Sequence, residues 1–177
     1  RGLNYTYNAD GYIWKYLGVD KTTARAASEN DQNYIIYRLA DVLLMKAEAL
    51  IMQGHNEDAA DLIDRTRERA GLGETTLSDD RMVMLETLLV ERQKEFFGEG
   101  KNWFDLLRIG LRSEQLNDTQ YKTLFVEQAL KAVGASRQSL GRATLANSGS
   151  WYLPYSEDEL SKNPLLEQSD YYQSISN

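Results

Sequence analysis

The chain has 177 residues, enough for one domain with a substantial core, and 42% of them are hydrophobic and 27% charged, as in an ordinary folded protein. The formal net charge of −7 argues against a nucleic-acid binder, which would present a basic face, and leaves neutral ligands such as sugars and protein partners open. The lack of cysteine excludes disulfides, thiolate catalysis and cysteine-rich zinc sites, and one histidine excludes histidine-dominated metal sites. We therefore predict no metal and no cofactor, and no apolar run approaches the length of a membrane span.

Residues 1–34 are rich in aromatic side chains. The alternation of aromatic and other residues from Tyr12 to Tyr16 has the period of a β-strand, and Asp10-Gly11 before it is a hairpin turn signal. We predict a short β-hairpin here, followed by a polar loop. Its aromatic rings could form a stacking surface for sugars or cover the end of a helical core. If this chain binds sugars, Tyr12 and Trp14 are the predicted carbohydrate-binding residues.

Two helices joined by a tight turn are predicted next. The segment from Tyr37 to Gln53 is apolar on most sides, so this helix should be central, and Gly54 ends it. The segment from Asn56 to Ala70 has acidic residues in its first turn and arginines in its last turn, where the helix dipole favours them. Within the first helix, Asp41 lies one turn after Arg38 and could pair with it.

Further helices are predicted downstream of this hairpin. A third helix is predicted from Arg81 to Phe97 and a short fourth helix from Trp103 to Ile109. The four helices of residues 35–110 form two consecutive hairpins, which resemble a pair of helical repeats. A fifth helix is predicted from Leu116 to Val133, and residues 134–150 are predicted to form a polar loop because they are rich in Gly, Ser, Ala and Asn.

The C-terminal residues 151–177 are predicted to be extended, apart from one capped helical turn that starts at Ser156. The sequence thus predicts a single mainly α domain over residues 1–177. It would consist of tetratricopeptide-like helix-hairpin pairs, a short N-terminal β-hairpin in residues 1–34 and an extended C-terminal tail. Residues 111–150 would be an inserted helix and loop.

Glu91, Glu95 and Glu99 recur every four residues, so on a helix they form one row. The same row contains Met84 and Leu88, so we expect the carboxylates to be at least half buried and to need partners. Catalysis by this row is disfavoured, because glycoside hydrolysis needs two carboxylates that face each other across a cleft. Carboxylate-bridged di-metal sites need Glu-x-x-His pairs, which one histidine cannot supply.

We therefore predict that the acidic row belongs to a structural ion-pair network between helices. No nucleophile–histidine arrangement and no phosphate-binding glycine loop supports another chemistry, so we predict no catalytic residue and no enzyme activity. The members of the predicted network are Arg38, Arg67, Arg69, Glu91, Arg92, Glu95, Glu99, Asp105 and Arg108.

Four blocks of the sequence follow one another in the order and spacing of a known family. Residues 37–49, YRLADVLLMKAEA, are similar to R-L-A-E-x-x-L-x-x-A-E-A, and residues 63–72, IDRTRERAGL, are similar to I-N-x-x-R-x-R-A-G. Residues 91–108, ERQKEFFGEGKNWFDLLR, are similar to E-R-x-x-E-L-x-x-E-G-x-R-x-F-D-L-x-R. Residues 152–168, YLPYSEDELSKNPLLEQ, are similar to a closing Y-P-I-P-x-x-E-x-x-x-N-P-x-L-x-Q. The blocks resemble the C-terminal part of the SusD/RagB family, the surface glycan-binding lipoproteins of Bacteroidetes.

The departures from the family pattern are few. Asp41 stands where Glu is usual, Asp64 stands for Asn, Asn102 stands for Arg, and Tyr155-Ser156 stands for Ile-Pro. The loss of an arginine at position 102 removes one expected cation from the network. No sugar-binding residue is carried over from the family.

The resemblance implies a helical scaffold that binds oligosaccharides at the cell surface without reacting on them. Its implied partners are a glycan and a SusC-like TonB-dependent transporter of the outer membrane, and no nucleic acid is expected. A complete member is several times as long and has a lipoprotein signal, so the chain is expected to be a C-terminal portion that reaches the membrane only through the parent's lipid anchor. The alternative is a helical-repeat interaction module that contacts the transporter and does not itself bind sugar.

Overall fold

The computed structural model describes residues 3–4, 12–13 and 33–175, and it confirms the predicted mainly α class. The chain divides into two compact units, residues 1–105 and residues 106–177. Within the described residues the helices are α1 Leu39–Gln53, α2 Asn56–Arg69, α3 Arg81–Glu95, α4 Asn102–Leu116, α5 Thr119–Leu130, α6 Ala135–Leu145, α7 Glu157–Lys162 and α8 Asp170–Ile175, with a short 3-10 helix at Ser148–Trp151.

Two short strands precede the helices. Strand β1, Leu3–Asn4, pairs antiparallel with β2, Tyr12–Ile13, so that Leu3 lies opposite Ile13. The rest of the predicted aromatic hairpin, including Trp14, lies outside the described residues, and the hairpin stays a prediction.

The core of the first unit is formed by one face of each of its first three helices. Helix α1 ends at Gly54, whose left-handed backbone (φ 83°) lets its N–H bond to the carbonyl of Ile51 and turns the chain directly into α2. Both α1 and α2 pack on α3. The side chains that this packing buries to 1% exposure or less are Leu44, Ala47, Ile51, Ala59, Ile63, Met84, Leu85, Leu88 and Leu89.

Helix α3 has well-defined ends. At its start the Asp80 carboxylate accepts the backbone N–H of Met82 at 2.7 Å, which caps the helix. It ends at Glu95, two residues before the predicted end. Gly98 (φ 81°) and Gly100 (φ 71°) then adopt left-handed backbone conformations, and the tight turn they form holds Glu99 beside the helix end.

Helix α4 is longer than predicted, because it continues past Gly110 to Leu116. A side chain at Gly110 would meet the Phe125 ring at 3.0 Å and the Trp151 ring at 3.1 Å, so the glycine permits close packing inside the second unit. The Phe125 and Trp151 rings pack at a tilt of 48° with their centroids 4.5 Å apart, and the indole N–H donates to the carbonyl of Leu145 at 3.0 Å. Gly110 is therefore a packing position and does not stop the helix.

The prediction of a polar loop over residues 134–150 is wrong, because Ala135–Leu145 form α6. The small residues that suggested a loop are compatible with a helix, and Gly141 brings α6 against Leu130 of α5, where a side chain would meet the Leu130 methyl group at 2.5 Å. The fifth helix begins at Thr119, later than predicted, since Asp118 caps it by accepting the N–H of Gln120 at 2.9 Å.

The C-terminal tail contains the predicted helical turn. Ser156 accepts the backbone N–H of Glu159 at 3.2 Å and starts α7. The tail is less extended than predicted, because Asp170–Ile175 form α8. None of the helices in the described part of the chain is both long enough and apolar enough to cross a membrane.

Candidate functional site: a buried ion-pair network

The acidic row lies on the buried side of α3 and of the turn that follows it. Met84 and Leu88 are fully buried, and Glu91, Glu95 and Glu99 continue the same side at 1%, 2% and 1% exposure. A carboxylate removed from water to this degree requires hydrogen bonds and compensating charge. The contacts around each carboxylate therefore decide the role of the row.

Glu95 is held by two arginines that come from different parts of the chain. Arg38 Nη1 donates to Glu95 Oε1 at 2.5 Å, and Arg69 Nη2 lies 2.5 Å from both Glu95 oxygens. Arg38 is the residue before α1, and Arg69 is the last residue of α2. A single carboxylate at the end of α3 thus links the first unit's three long helices.

Arg38 can reach the end of α3 because it stands outside α1. Its backbone is extended (φ −150°, ψ 168°), so α1 begins at Leu39 and not at Tyr37 as predicted. Its Nε donates to both Glu99 oxygens at 3.1 and 3.2 Å, and its Nη2 donates to the Glu95 backbone carbonyl at 2.8 Å. The last carbonyls of a helix lack partners within the helix, so Arg38 also caps α3.

Arg92 forms the most buried part of the network. It is 3% exposed and makes a two-point contact with Asp105, with Nε to Oδ2 and Nη2 to Oδ1 both at 2.8 Å. The same Nη2 donates to Asp41 Oδ1 at 3.1 Å. The expected local pair between Asp41 and Arg38 is therefore wrong: Asp41 points to Arg92 and Lys101, because Arg38 is engaged by the glutamates of the row.

Lys101 supplies a cation that the sequence analysis did not include. Its ammonium group pairs with Asp41, lies 3.9 Å from Glu99 and donates to the carbonyl of Ile36 at 2.7 Å. It stands one residue before Asn102, where the family pattern has arginine. Lys101 therefore supplies a cation to the network next to the position where the family pattern has arginine.

The Phe96 ring lies at the centre of the cations. The guanidinium carbons of Arg38 and Arg92 are each 4.8 Å from its centroid, and the Lys101 ammonium is 5.0 Å away. Cations at this distance from an aromatic face are attracted by its quadrupole. Phe96 is 3% exposed, so this ring both fills the core and separates three positive charges.

Arg67 contacts the first carboxylate of the row. Its Nη1 lies 3.4 Å from Glu91 Oε2, and its Nε lies 3.8 Å from Asp64. The pairs join five buried carboxylates, Asp41, Glu91, Glu95, Glu99 and Asp105, to five cations, Arg38, Arg67, Arg69, Arg92 and Lys101.

The pKa values follow from these contacts. Burial alone would raise the pKa of Glu95, but the hydrogen bonds and charges of Arg38 and Arg69 outweigh burial and lower it below its ordinary value. Burial alone would lower the pKa of Arg38, but its bonds to Glu99 and Glu95 raise it. Both groups are thus held in their charged forms, whereas a general acid at neutral pH needs a raised carboxyl pKa.

The arrangement is suited to holding helices together. Both Glu95 oxygens are occupied by guanidinium groups, and the glutamates of the row do not face one another across a cleft.

His55, the single histidine, is exposed and lines a cavity of about 360 Å³ with Asn56, Asp79 and Arg81. Among the described residues, no three His, Cys, Asp or Glu side chains are placed to hold a metal ion.

Eight residues of the predicted network make the contacts described above, and the ninth, Arg108, lies half-buried on α4. Tyr12 is described only by its backbone in β2, and Trp14 lies outside the described residues, so the predicted sugar site stays a prediction. Sequence reasoning missed Lys101 and also Tyr34, whose hydroxyl donates to the Glu99 carbonyl at 2.7 Å. The sequence signal that could have identified Lys101 is its position directly after the Gly-Glu-Gly turn, beside Glu99.

Comparison with known proteins shows the family to which the chain belongs. The SusD family model matches residues 3–172, which is nearly the whole chain. The chain belongs to the SusD family. Two curated relatives are SusD-like proteins of Formosa agariphila: P38 is 37% identical over 46% of this chain and 18% of its own length, and P25 is 29% identical over 95% of this chain and 28% of its own length.

Solved structures agree with the SusD assignment. A SusD superfamily protein of Bacteroides fragilis superposes with a TM-score of 0.56 at 29% identity, covering 77% of this chain and 28% of that one. A second SusD superfamily protein, from Bacteroides vulgatus, superposes with a TM-score of 0.51 at 31% identity. The match covers 76% of this chain and 26% of that one. The chain therefore spans less than a third of the length of these relatives. SusD-like proteins are in general non-catalytic, carbohydrate-binding proteins of nutrient uptake.

Proposed function

We propose that this chain is the C-terminal scaffold part of a surface protein that captures oligosaccharides, without reacting on them, for uptake through a SusC-like TonB-dependent transporter. The longer protein would be held on the outer membrane by its lipid anchor. Membership of the SusD family over residues 3–172 is the observation that carries the proposal.

The geometry of the acidic row supports a scaffold role over a catalytic one. The row contains the carboxylates that would be needed for hydrolysis, and the described contacts engage them with arginine and lysine. A buried carboxylate with a lowered pKa does not donate a proton at neutral pH. The chemistry assigned to these residues is therefore the joining of helices.

Glycan capture is tested by calorimetry of the longer protein against a panel of oligosaccharides. We expect binding to at least one of them with no release of smaller sugars. Tyr12 and Trp14 are the proposed contacts, because flat aromatic rings stack on sugar faces. Unchanged affinity in a Trp14→Ala variant would remove this site, and hydrolysis that disappears in Glu95→Gln would contradict the non-catalytic role.

The alternative function is a helical module that contacts the transporter without itself binding sugar. Apolar side chains on the exposed side of α1 favour an interaction role for this part of the molecule. Co-purification of the 177-residue chain with the cognate transporter distinguishes the two functions. Retention on the transporter together with no glycan binding would favour the alternative.

A further inference from the structure

The segment directly before α1 lies against the turn that follows α3. Residues 33–38 belong to no helix or strand, and the side chains of Tyr34, Ile36 and Tyr37 are 63%, 67% and 73% exposed. We call this segment the strap; it is the covalent link between residues 1–32 and α1. Burial of apolar surface holds the strap only weakly, because hydrophobic stabilisation grows with the area removed from water.

Polar contacts with one turn hold the strap in place. The Tyr34 hydroxyl donates to the Glu99 carbonyl at 2.7 Å, and the Lys101 ammonium donates to the Ile36 carbonyl at 2.7 Å. The Arg38 guanidinium donates from Nε to both carboxylate oxygens of Glu99, at 3.1 and 3.2 Å. Every second residue of the strap therefore contacts this turn or the lysine directly after it.

Glycine allows the strap and the turn to approach each other closely. Gly100 has φ 71°, and a side-chain carbon there would lie 2.9 Å from the Tyr34 hydroxyl oxygen. Gly98 on the other side of Glu99 also has a left-handed backbone, with φ 81°. Because glycine restricts the backbone less than any other residue, the turn that carries Glu99 can change its conformation at low torsional cost.

Acid favours release of the strap. Burial alone would raise the pKa of Glu95, but the hydrogen bonds and charges of Arg38 and Arg69 outweigh burial and lower it. A carboxylate whose pKa Arg38 lowers binds a proton more readily once Arg38 has left. The open strap therefore gains stability relative to the closed strap as the pH falls below the ordinary glutamate value of about 4.3.

Charged groups from each neighbouring segment face these glutamates. Arg38 of the strap faces Glu95 and Glu99, and Arg69 at the end of α2 faces Glu95. Lys101 lies 3.9 Å from Glu99 and is also paired with Asp41 of α1. Protonation of Glu95 leaves Arg38 and Arg69 without their shared anion, so the repulsion between the two guanidinium groups adds to the opening.

We propose that the strap and the turn form a clasp that acid opens before the helices of the first unit unfold. The packing of α1, α2 and α3 includes many fully buried apolar side chains, which do not titrate, whereas the contacts of the strap are mainly polar. The segment with the least buried apolar surface opens at the lowest free energy. Opening of the clasp loosens the link between residues 1–32 and α1.

A nitroxide spin label reports whether the strap is held. The chain has no cysteine, so one introduced cysteine carries one label. Ile36→Cys is chosen because its side chain is exposed and its contact with Lys101 is made by the backbone carbonyl. Lys46→Cys, at an exposed position of α1, is the matched control, and Asn33→Cys is a second strap position if Ile36→Cys does not fold.

Electron paramagnetic resonance measures the mobility of the label, and far-UV circular dichroism measures helix content, both from pH 7 to pH 3. We expect the Ile36→Cys label to gain mobility at least about 0.5 pH unit above the midpoint for loss of helix, or with the helix signal intact throughout. The mobility of the Lys46→Cys label should change only together with the helix signal.

Removal of the charge of Glu99 should open the strap without acid. In Glu99→Gln the side chain keeps nearly the same shape, so we expect retained helix content at pH 7. The rotational correlation time of the Ile36→Cys label should be at least about threefold shorter than in the parent. Glu68→Gln, the same change at an exposed position of α2, should leave the label as in the parent. Arg38→Gln makes the test from the side of the strap if Glu99→Gln does not fold.

Four results would overturn the proposal. A label at position 36 that is already mobile at pH 7 in the parent would mean that these contacts do not hold the strap. Coincident midpoints of label mobility and helix loss would make the strap part of one cooperative unit with the helices. A label that stays immobile down to pH 3 would show that acid does not open the clasp. A label that is immobile at pH 7 in a folded Glu99→Gln protein would remove Glu99 from the clasp.

Discussion

Glu95 and Glu127 are both glutamates paired with arginine, but their surroundings differ. In the first unit Glu95 is 2% exposed and is bonded by two guanidinium groups, one from the residue before α1 and one from the end of α2. In the second unit Glu127 meets Arg142 alone, and their side chains are 51% and 46% exposed. Both carboxyl pKa values are lowered, Glu127's by the Arg142 hydrogen bond and Glu95's because its arginines outweigh burial.

The comparison shows that a lowered pKa does not by itself identify a structural residue. An exposed pair exchanges water contacts for protein contacts at little net gain and is screened by salt. A buried pair has already lost its hydration, so removing one partner leaves the other charge uncompensated. We therefore expect substitutions to separate the two pairs clearly.

The largest expected effect is that of Glu95→Ala, which leaves Arg38 and Arg69 facing each other without their shared anion. Breaking a buried pair costs about 3–5 kcal/mol of unfolding free energy. Glu95→Ala belongs at the lower end of that range, because Arg38 is half-buried and keeps Glu99 and Arg69 is exposed. Chemical denaturation followed by circular dichroism measures it. Glu68→Ala, the same change at an exposed position of α2, is the control and should cost less than about 0.5 kcal/mol. A Glu95→Ala protein as stable as the parent would mean that the row is a solvated face.

Gly100→Ala should have the next largest effect, because it acts on the turn that holds Glu99. Gly100 has φ 71°, and an added methyl carbon would lie 2.9 Å from the Tyr34 hydroxyl oxygen. Strain of this kind costs about 1–3 kcal/mol. Gly73→Ala is the matched control, since nothing lies within 4 Å of its added carbon and its φ is not positive. Equal thermal midpoints for the two variants would show that the turn tolerates a side chain.

Acidification should reduce the difference between the parent and Glu95→Gln. The pKa of Glu95 is lower in the folded state than its ordinary value of about 4.3, so the stabilising effect of this carboxylate is complete above that value. The effect is lost as the pH falls through the folded pKa, because the carboxylate then takes up a proton. Unfolding free energies from pH 7 to pH 3 test this. If the difference in unfolding free energy between the parent and Glu95→Gln grew as the pH fell, the lowered pKa of Glu95 would be contradicted.

The smallest expected effect belongs to the exposed pair. Arg142→Ala removes the partner of Glu127, and we expect the thermal midpoint to stay within experimental error of the parent. Differential scanning calorimetry at low and high salt measures it. A clear loss of stability at both salt concentrations would show that this surface pair stabilises the protein as we expect the buried network to do.

Much of the first unit could be predicted from sequence because local signals agreed there. The apolar period of α1, the Gly54 stop and the Glu91-Glu95-Glu99 spacing each correspond to a feature of the structure. The partners were harder to predict, since an arginine can reach several carboxylates. The spacing allowed Asp41 to pair with Arg38 one turn away, but it pairs with Arg92, which is 51 residues away in sequence.

The second unit was predicted less well because glycine can either end a helix or allow close packing inside one. The fourth helix was predicted to end at Ile109, and residues 134–150 were predicted to form a loop. Gly110 and Gly141 instead lie inside helices, where another side chain packs closely on each of them. Only the three-dimensional contacts with Phe125, Trp151 and Leu130 separate this use of glycine from a turn. Lys101 was missed because its role also depends on three-dimensional contacts. It joins the network only because the preceding turn directs its side chain toward Asp41.

The central claim, that the row of α3 joins helices through specific ion pairs, is tested most directly by a double-mutant cycle on Arg38 and Glu95. The unfolding free energies of the parent, Arg38→Ala, Glu95→Ala and the double variant give the coupling between the two side chains. We expect a favourable coupling on the order of 1–3 kcal/mol, because Glu95 is buried, Arg38 is half-buried and Nη1 lies 2.5 Å from Oε1. Additive effects, with no coupling, would contradict the account.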